Sequence, residues 1–262
     1  MYVIGERING MFKDVKRAIR EKDPKPIQDL ALKQLAAGAQ ALDINVGPAA
    51  ADARTAMAWL VDVVQDVTGA ALAIDTAKWE VMSAIVPKVK NPAIINSSKA
   101  DEAALEKYAR LAVDSNASLL VLTIDQRGVP DNADRRVEMG ATILTKTMEA
   151  GLPTERLFID PIILPTNVSP KNPGHCMDAI SQLRAFADPP PHLVLGLSNV
   201  SQRCSNRGLI NRTYLAMAMA RGLDAAIMDP LDTELMNTAI TAELLLGKMI
   251  YCDSYLQAAR QG

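Results

Sequence analysis

The sequence predicts an α/β protein of the (β/α)8 TIM barrel type, and three observations carry this prediction. Eight short apolar runs recur along the 262 residues, and each of them ends in polar residues. Segments with helical periodicity lie between the runs, and strands that alternate with helices indicate a parallel sheet. Barrels of this type run to about 250 residues as one domain, whereas doubly wound sheets usually have about five or six strands. We therefore expect one domain over residues 1–262.

The predicted strands follow one another along the whole chain. They span residues 3–4, 41–42, 71–74, 93–95, 119–124, 157–159, 193–197 and 225–228. No GxGxxG motif follows the first strand, which argues against a dinucleotide-binding sheet.

The predicted helices show apolar residues at helical spacing. One face is shared by Ile27, Leu30, Ala31 and Leu35, a second by Met57, Leu60, Val61 and Val64, and a third by Leu235, Ala239, Ala242 and Leu246. We expect Asp134 to cap the helix that runs to Ala150 and Gly151 to end it, as Gly222 ends the helix after Arg207.

Two segments interrupt this alternation. After the first strand, residues 13–20 predict an extra short helix, ended by Asp23 and Pro24. After Asp160, the segment PIILPTNVSPKNPG contains four of the 15 prolines and predicts a long, stiff loop. Its part from Thr166 to Gly174 is a candidate contact for a partner protein.

Composition and charge exclude several classes of function. Apolar residues make up 49% of the chain and the net charge is −2, so there is no basic footprint for nucleic acid. We expect no membrane partner either, because no apolar segment approaches the ~20 residues of a span. Cys176, Cys204 and Cys252 follow no metal or disulfide spacing, which predicts a cytoplasmic protein with reduced thiols.

The carboxyl ends of barrel strands meet at one mouth, where active sites of this fold lie. Here that mouth would collect Glu6, Asp43, Asn45, Asp75, Asn96, Asp160, Ser198 and Asn199, beside Arg7, Arg207 and Arg203. Both histidines lie elsewhere, His175 at a helix start and His192 in a loop, so we expect no histidine triad or histidine-rich metal site.

Aspartates and asparagines together suit a flat, nitrogen-rich heterocycle such as a pyrimidine or a pterin. A carboxylate accepts two hydrogen bonds from an NH/NH₂ edge, and an asparagine amide both donates and accepts. Spacing alone leaves magnesium at Asp43, Asp75 and Asp160 open. Some of these residues also have a structural interpretation.

Burial without a ligand or partner would cost several kcal/mol, by rough estimate, at Asp75, Asn96 and Asp160, so a ligand-binding role is favoured there. Asp43 and Asn45 suit either role. Asp125 and Asp229 are interpreted as turn or cap residues. Glu6 and Arg7 could simply pair with each other or with the barrel floor.

Five segments resemble those of pterin-binding methyltransferases. They are IGERING at 4–10, LDINVGP at 42–48, INSS at 95–98, IDPIILP at 159–165, and GLSNVSQ at 196–202 with the following NR and INR. The likeness is greatest to the methyltetrahydrofolate:corrinoid/iron–sulfur protein methyltransferases, and it extends to the folate module of cobalamin-dependent methionine synthase. It runs essentially from end to end.

This resemblance implies a homodimeric barrel that binds 5-methyltetrahydrofolate, with tetrahydrofolate as the other form, at the strand carboxyl ends. It implies that Asp75, Asn96 and Asp160 hydrogen-bond the pterin, and that Asn199 contacts the methyl-bearing nitrogen. Gly196, Ser198, Gln202 and Arg207 would line the folate site. The methyl group would pass to or from the cobalt of a corrinoid (cobalamin) on a separate protein, such as a corrinoid/iron–sulfur protein, docked over the mouth.

For this reaction we expect Asn199 and Asp75 to be catalytic, with Asp75 supplying protons through bound water. Dihydropteroate synthase shares the pterin pocket but needs a basic cluster for its diphosphate, whereas the last strand here reads AAIMDP. A folate-binding subunit without activity is the other alternative.

Overall fold

Eight parallel strands close into a barrel in this computed structural model, which describes residues 1–47 and 52–249. Strand order follows chain order, and β8 pairs with β1. The strands are β1 (Tyr2–Gly5), β2 (Ala41–Ile44), β3 (Ala71–Asp75), β4 (Ala93–Lys99), β5 (Ser118–Leu122), β6 (Leu157–Asp160), β7 (His192–Gly196) and β8 (Ala225–Met228). The predicted TIM barrel is confirmed. Pro48 and Cys252 lie outside the described residues.

Helices cover the outside of the barrel. Those in the described ranges are α1 (Lys13–Glu21), α2 (Lys25–Ala36), α3 (Ala53–Gln65), α4 (Trp79–Ile85), α5 (Glu102–Asp114), α6 (Ala133–Glu149), α7 (Asn172–Leu183), α8 (Arg207–Ala220) and α9 (Thr233–Leu245). The extra helix between β1 and β2 is confirmed as α1, which ends at Lys22 in a left-handed conformation. No helix in these ranges is long and apolar enough to cross a membrane.

The strands separate two apolar cores, because successive side chains of a strand point to opposite faces. In β2, Leu42 and Ile44 pack in the layer between sheet and helices, while Ala41 belongs to the core inside the barrel. That inner core is formed by Ile4, Ala41, Ala73, Ile94, Leu120, Phe158, Val194 and Ala225. Towards the mouth, the next inward position on each strand is therefore free to carry a polar side chain.

Several element boundaries differ from the sequence prediction, and β4 continues to Lys99 rather than ending at residue 95. β5 ends at Leu122 rather than at residue 124, and residue 197 belongs to a 3₁₀ turn (Leu197–Asn199) rather than to β7. The predicted Asp134 cap of α6 is wrong, because the helix begins at Ala133 and its cap lies two residues before Asp134, at Asn132. The side chain of Asn132 accepts the hydrogen bond from the Arg135 backbone N–H, and Asp134 lies within the first turn.

His192 and the proline-rich segment also differ. His192 is the first residue of β7 rather than part of a loop, and its ring stacks on Phe158 at the end of the barrel opposite the mouth. The loop after Asp160 is shorter than expected, because α7 begins at Asn172. Pro173 is tolerated there, because a backbone N–H in the first turn of a helix has no acceptor within the helix, and proline lacks only that N–H. The candidate partner contact at 166–174 is therefore part loop and part helix.

Candidate functional site

The mouth of the barrel carries a layer of polar side chains directly above the inner apolar core. Asp43, Asp75, Asn96 and Asp160 lie two residues beyond Ala41, Ala73, Ile94 and Phe158, which all point inward. Because strand side chains alternate, these four polar groups also point towards the axis. Asp75 and Asn96 are directly paired across β3 and β4. The sequence prediction of a shared mouth is thus realised on this half of the barrel.

Two amide–carboxylate pairs join β2, β3 and β4 at this level. Asn96 Nδ2 donates to Asp43 Oδ1 at 2.9 Å, and Asn45 Nδ2 donates to Asp75 Oδ2 at 2.6 Å. The Gly47 backbone N–H in turn donates to Asn45 Oδ1 at 2.6 Å, which fixes the orientation of that amide. Both carboxylates are therefore held in place from one side.

Burial makes these two carboxyl groups weaker acids than usual. It raises the pKa of Asp43 well above its usual value, and the nearby negative charge of Asp75 raises it further. Burial also raises the pKa of Asp75, partly offset by the hydrogen bond from Asn45. Two ionised carboxylates at this depth are unfavourable unless additional N–H donors or a proton reach them. The pair is suited to a ligand that presents such donors.

Asp160 ends β6 in a turn that its own side chain stabilises. The backbone N–H of Ile162 donates to Asp160 Oδ1 at 2.7 Å, and Ile162 has a φ of 61°, rare for a β-branched residue. The backbone of Gly196 on β7 also hydrogen-bonds the carboxylate. Burial raises the pKa of Asp160 to about 7, against the effect of these bonds and of the Arg136 charge. The group can therefore change its charge near neutral pH.

The other half of the mouth is a cavity of about 580 Å³ between β7, β8 and the loop after β1. Ser198 Oγ donates to Glu6 Oε1 at 2.7 Å, across the gap between the β7 turn and β1. Arg207, from the start of α8, donates to the Ser198 carbonyl and to Ser201 Oγ, both at 3.1 Å. These bonds fix the turn that holds Asn199. The remaining walls include Asn9, Phe12, Gln202, Asn211 and Asp229.

Asn199 lies exposed on the wall of this cavity, in the 3₁₀ turn after β7. Its Nδ2 would be 3.0 Å from a Cβ on residue 196, so the glycine at that position leaves room for the amide beside the strand end. The amide is thus available to a ligand.

All ten residues predicted for the site lie on this one face of the barrel. Asp43 with Asn96 and Asn45 with Asp75 form two hydrogen-bonded pairs, Asp160 contacts Gly196, and Ser198, Asn199, Gln202 and Arg207 line the cavity. Among the described residues, no group of three or more histidine, cysteine, aspartate or glutamate side chains is arranged to hold a metal ion.

Glu6 and Arg7 do not form the pair considered from the sequence. Glu6 bonds Ser198, whereas Arg7 lies 3.6 Å from Asp14 and 4.0 Å from Asp229, with its guanidinium 3.9 Å above the Phe12 ring. The reason is alternation, since adjacent residues leave the strand end in different directions. Asp229 was predicted to be a turn or cap residue. It does accept from the Leu231 N–H in a turn, and it also lines the cavity.

The structure confirms the prediction that Asp125 is a turn residue, because its side chain accepts from the Arg127 backbone N–H. Sequence reasoning also left two residues out. It missed Asn211 and Arg136. Asn211 lines the cavity, and its Oδ1 is buried with no hydrogen-bond partner in the described part of the chain. Its place in the INR segment was the available signal. For Arg136 the available signal was helical spacing, because it shares a face of α6 with Ala133, Met139 and Ile143.

The sequence matches known proteins over most of its length. The family model described as pterin binding enzyme matches residues 6–229. A methylcorrinoid:tetrahydrofolate methyltransferase of Eubacterium limosum is 30% identical over 264 residues, which cover 100% of this chain and 97% of that protein. Methionine synthase of Mycobacterium leprae is 27% identical over 86% of this chain, and the match spans only 20% of its length.

Solved structures show the same fold at lower identity. A Coxiella burnetii dihydropteroate synthase in complex with pteroic acid matches with a TM-score of 0.68 at 14% identity, over 93% of this chain and 92% of that one. The enzyme from Xanthomonas albilineans with 7,8-dihydropteroate gives 0.67 at 18% identity, over 96% and 94%.

Proposed function

This chain belongs to the pterin-binding enzyme family, and we propose that it is a methyltransferase that moves a methyl group between 5-methyltetrahydrofolate and the cobalt of a corrinoid on a partner protein. The observation that carries the proposal is the set of buried carboxylates and amides on the mouth of a chain that matches a methylcorrinoid:tetrahydrofolate methyltransferase from end to end. The methionine synthase match supports it over a single module of a longer protein.

We assign the pterin ring to the half of the mouth formed by β2 to β6. The NH/NH₂ edge of a pterin suits a buried carboxylate such as Asp160, because two parallel N–H donors match its two oxygens. Asn96 and Asp75 add an amide and a second acceptor beside it. Asp43 and Asn45 hold these two in place through the bonds at 2.9 and 2.6 Å.

The rest of the folate would extend into the cavity beside β7, where Gly196, Ser198, Gln202 and Arg207 would line its path. Asn199 then lies where its amide can donate to the methyl-bearing nitrogen. An amide suits this position because it stabilises developing charge without itself titrating.

Proton balance at that nitrogen requires a donor or an acceptor. When the methyl group leaves, the electrons of the broken N–C bond stay on nitrogen and a proton must arrive; in the other direction the N–H proton must depart. Asp75, whose pKa burial raises, would exchange this proton through bound water. The corrinoid supplies the metal centre that takes or gives the methyl group, and the chain supplies position and electrostatics.

A dihydropteroate synthase activity is the main alternative, since those enzymes share the fold. The charges of the cavity disfavour it. Arg7 and Arg207 face Glu6, Asp229 and Asp232 there, and Arg7 lies between two aspartates. A diphosphate needs positive charge that is not already balanced by nearby carboxylates.

Three further features belong to this proposal. The corrinoid would arrive on a separate protein, because the folate would already occupy the cavity of about 580 Å³. We also propose a homodimer and a cytoplasmic location; light scattering and cell fractionation test these two.

The test is an anaerobic assay in which the protein is mixed with cobalt(I) cobalamin and 5-methyltetrahydrofolate while cobalt(I) absorption is followed. Loss of the cobalt(I) signal that depends on both protein and folate supports the proposal. Formation of dihydropteroate from a pterin diphosphate and p-aminobenzoate would instead identify a synthase. Folate binding in a calorimeter without methyl transfer, neither from 5-methyltetrahydrofolate to a reduced corrinoid protein nor from a methylated corrinoid protein to tetrahydrofolate, would identify a binding subunit.

A further inference from the structure

Beside the Asp160 turn, a buried arginine on α6 contacts the residue that follows β6, and the proposed reaction does not use it. Arg136 on α6 is fully buried. Its Nε donates to the Pro161 carbonyl and one terminal nitrogen donates to the Asn132 carbonyl, both at 2.7 Å. Its Nη2 is buried and has no hydrogen-bond partner in the residues that the structure describes. A buried guanidinium with an unpaired N–H donor is unfavourable in free energy, so packing alone does not explain an arginine at this position.

The contacts of Arg136 lead directly to the Asp160 turn. Pro161, which accepts its Nε hydrogen, is the residue after Asp160, and Ile162 donates its backbone N–H to the Asp160 carboxylate. The same turn is held from α7, where Asn172 Oδ1 accepts from the Leu164 N–H at 2.8 Å. The left-handed conformation of Ile162 is thus bracketed by two buried side chains.

Among the described residues whose charge shifts the pKa of Asp160, Arg136 is the only cation. The titratable groups that face this region are Arg136 on α6, Cys176 on α7 and Tyr214 on α8. Burial raises the pKa of Cys176 to about 12 and raises the pKa of Tyr214, so both stay neutral at pH 7. Arg136 alone opposes the effect of burial on Asp160 with a full charge.

We propose that Arg136 is a positioning residue for Asp160: it fixes the Pro161 carbonyl at the end of β6 and places a positive charge near the carboxylate. Asp160 then faces the mouth as an ionised acceptor for a heterocycle with an NH/NH₂ edge. The choice of heterocycle rests on the proposed function. The effect on Asp160 itself does not, and it can be measured without any ligand.

The test compares Arg136→Gln with Arg136→Lys, since both side chains can donate to the Pro161 carbonyl but only lysine keeps the charge. The titration of Asp160 is followed in the ligand-free protein by the ¹³C shift of its carboxyl carbon, assigned with Asp160→Asn. We expect the midpoint in the glutamine variant to move upward by about one pH unit or more, as loss of a nearby opposite charge predicts. In the lysine variant it should stay near the wild-type value.

A purely structural role for Arg136 predicts a different result. Ile143→Ala, at a fully buried apolar position of the same helix, serves as the stability control and should leave the midpoint unchanged. An Asp160 midpoint in Arg136→Gln equal to that of the wild type would overturn the proposal. If the glutamine variant does not fold, Arg136→Met replaces it, since methionine has a similar length but neither donates to the Pro161 carbonyl nor carries a charge. Its Asp160 midpoint should also move upward, with faster amide exchange at Ile162 than along α6, and unchanged values of both would contradict the positioning role.

Binding of 5-methyltetrahydrofolate, measured by calorimetry in the same variants, separates this inference from the proposed function. A midpoint raised by one pH unit should weaken binding about tenfold at pH values well below the wild-type midpoint. If the wild type binds no folate but the Asp160 midpoint still responds to the Arg136 charge, the positioning role stands and the proposed ligand is wrong.

Discussion

Asp160 shows how one side chain combines the physical effects that set the site. It is nearly fully buried, it accepts backbone hydrogen bonds from Ile162 and Gly196, and its pKa is raised to about 7. A pterin edge would add two N–H donors, which favour the ionised form and so lower the pKa in the complex. Folate binding should therefore release a proton when the pH is below about 7.

We predict that Asp160→Asn weakens folate binding at pH 8 by about 10- to 100-fold, the range for loss of hydrogen bonds to a charged group. The asparagine still accepts from Ile162 N–H, so the turn should survive. In the wild type, affinity should fall as the pH drops from 7 to 6, because protonation removes an acceptor. Calorimetry at pH 6, 7 and 8 checks both effects; an equally steep pH dependence in the variant would contradict the assignment.

At this scale the sequence indicated the polar positions well, for a simple reason. Each of Asp75, Asn96 and Asp160 follows an apolar run by one position, and the period of two places it on the inner face. The partners of these groups could not be deduced. Whether Asn96 bonds Asp43, and which acceptors the buried Arg136 reaches, depends on contacts between distant elements.

At the scale of elements, the strands and the glycine-terminated helix ends were predictable, while the start of α6 was not. Gly151 and Gly222 follow α6 and α8 with φ of 85° and 108°, the left-handed conformation that glycine adopts without strain. The cap of α6 was predicted at Asp134, whereas the structure has it two residues earlier, at Asn132. Asn132 is the residue with an extended backbone directly before the helix.

This correction yields a paired prediction for α6. Asn132→Ala should lower the free energy of unfolding by about 1 kcal/mol, because the bond to Arg135 N–H is lost. Asp134→Ala should have the smaller effect, limited to its favourable charge near the helix N-terminus. Urea denaturation of both variants measures the difference. A larger loss for Asp134→Ala would show that the cap is assigned to the wrong residue.

At the scale of the whole molecule, the buried carboxyl groups of the mouth oppose folding at neutral pH. The folded-state pKa values of Asp43, Asp75 and Asp160 are all raised above the unfolded value of 3.8. The folded protein therefore binds more protons than the unfolded chain above pH 4, and stability should fall as the pH rises towards the folded pKa values. For Asp160 the window runs from about 4 to about 7.

Asp160→Asn should remove its share of this pH dependence. The variant and the wild type should be nearly equal in stability at pH 4, and the variant should be more stable at pH 8 by up to about 4 kcal/mol. Asn132→Ala, which changes no titratable group, should follow the wild-type curve with a constant offset. Urea denaturation across this range checks the prediction, and parallel curves for Asp160→Asn and the wild type would contradict it.

The barrel as a whole was predictable because its signal repeats eight times along the chain. The single domain over 1–262 stays a prediction, for which one cooperative unfolding transition is the expected observation. The way the mouth divides was not predictable, because its two halves draw on residues from opposite ends of the chain. Glu6 and Ser198, for example, are bonded across the junction of β1, β8 and β7.

The most direct test of methyl transfer at this mouth is the single-turnover rate of cobalt(I) methylation by 5-methyltetrahydrofolate, compared between the wild type and Asn199→Ala. Asn237→Ala, in a groove between α8 and α9 that is separate from the mouth cavity, is the matched control. Loss of one donor aimed at developing charge should slow Asn199→Ala by about 10²- to 10³-fold, with folate affinity largely retained. The control should match the wild type. Wild-type rates in Asn199→Ala, or no methyl transfer by the wild type to free or protein-bound corrinoid, would contradict the account.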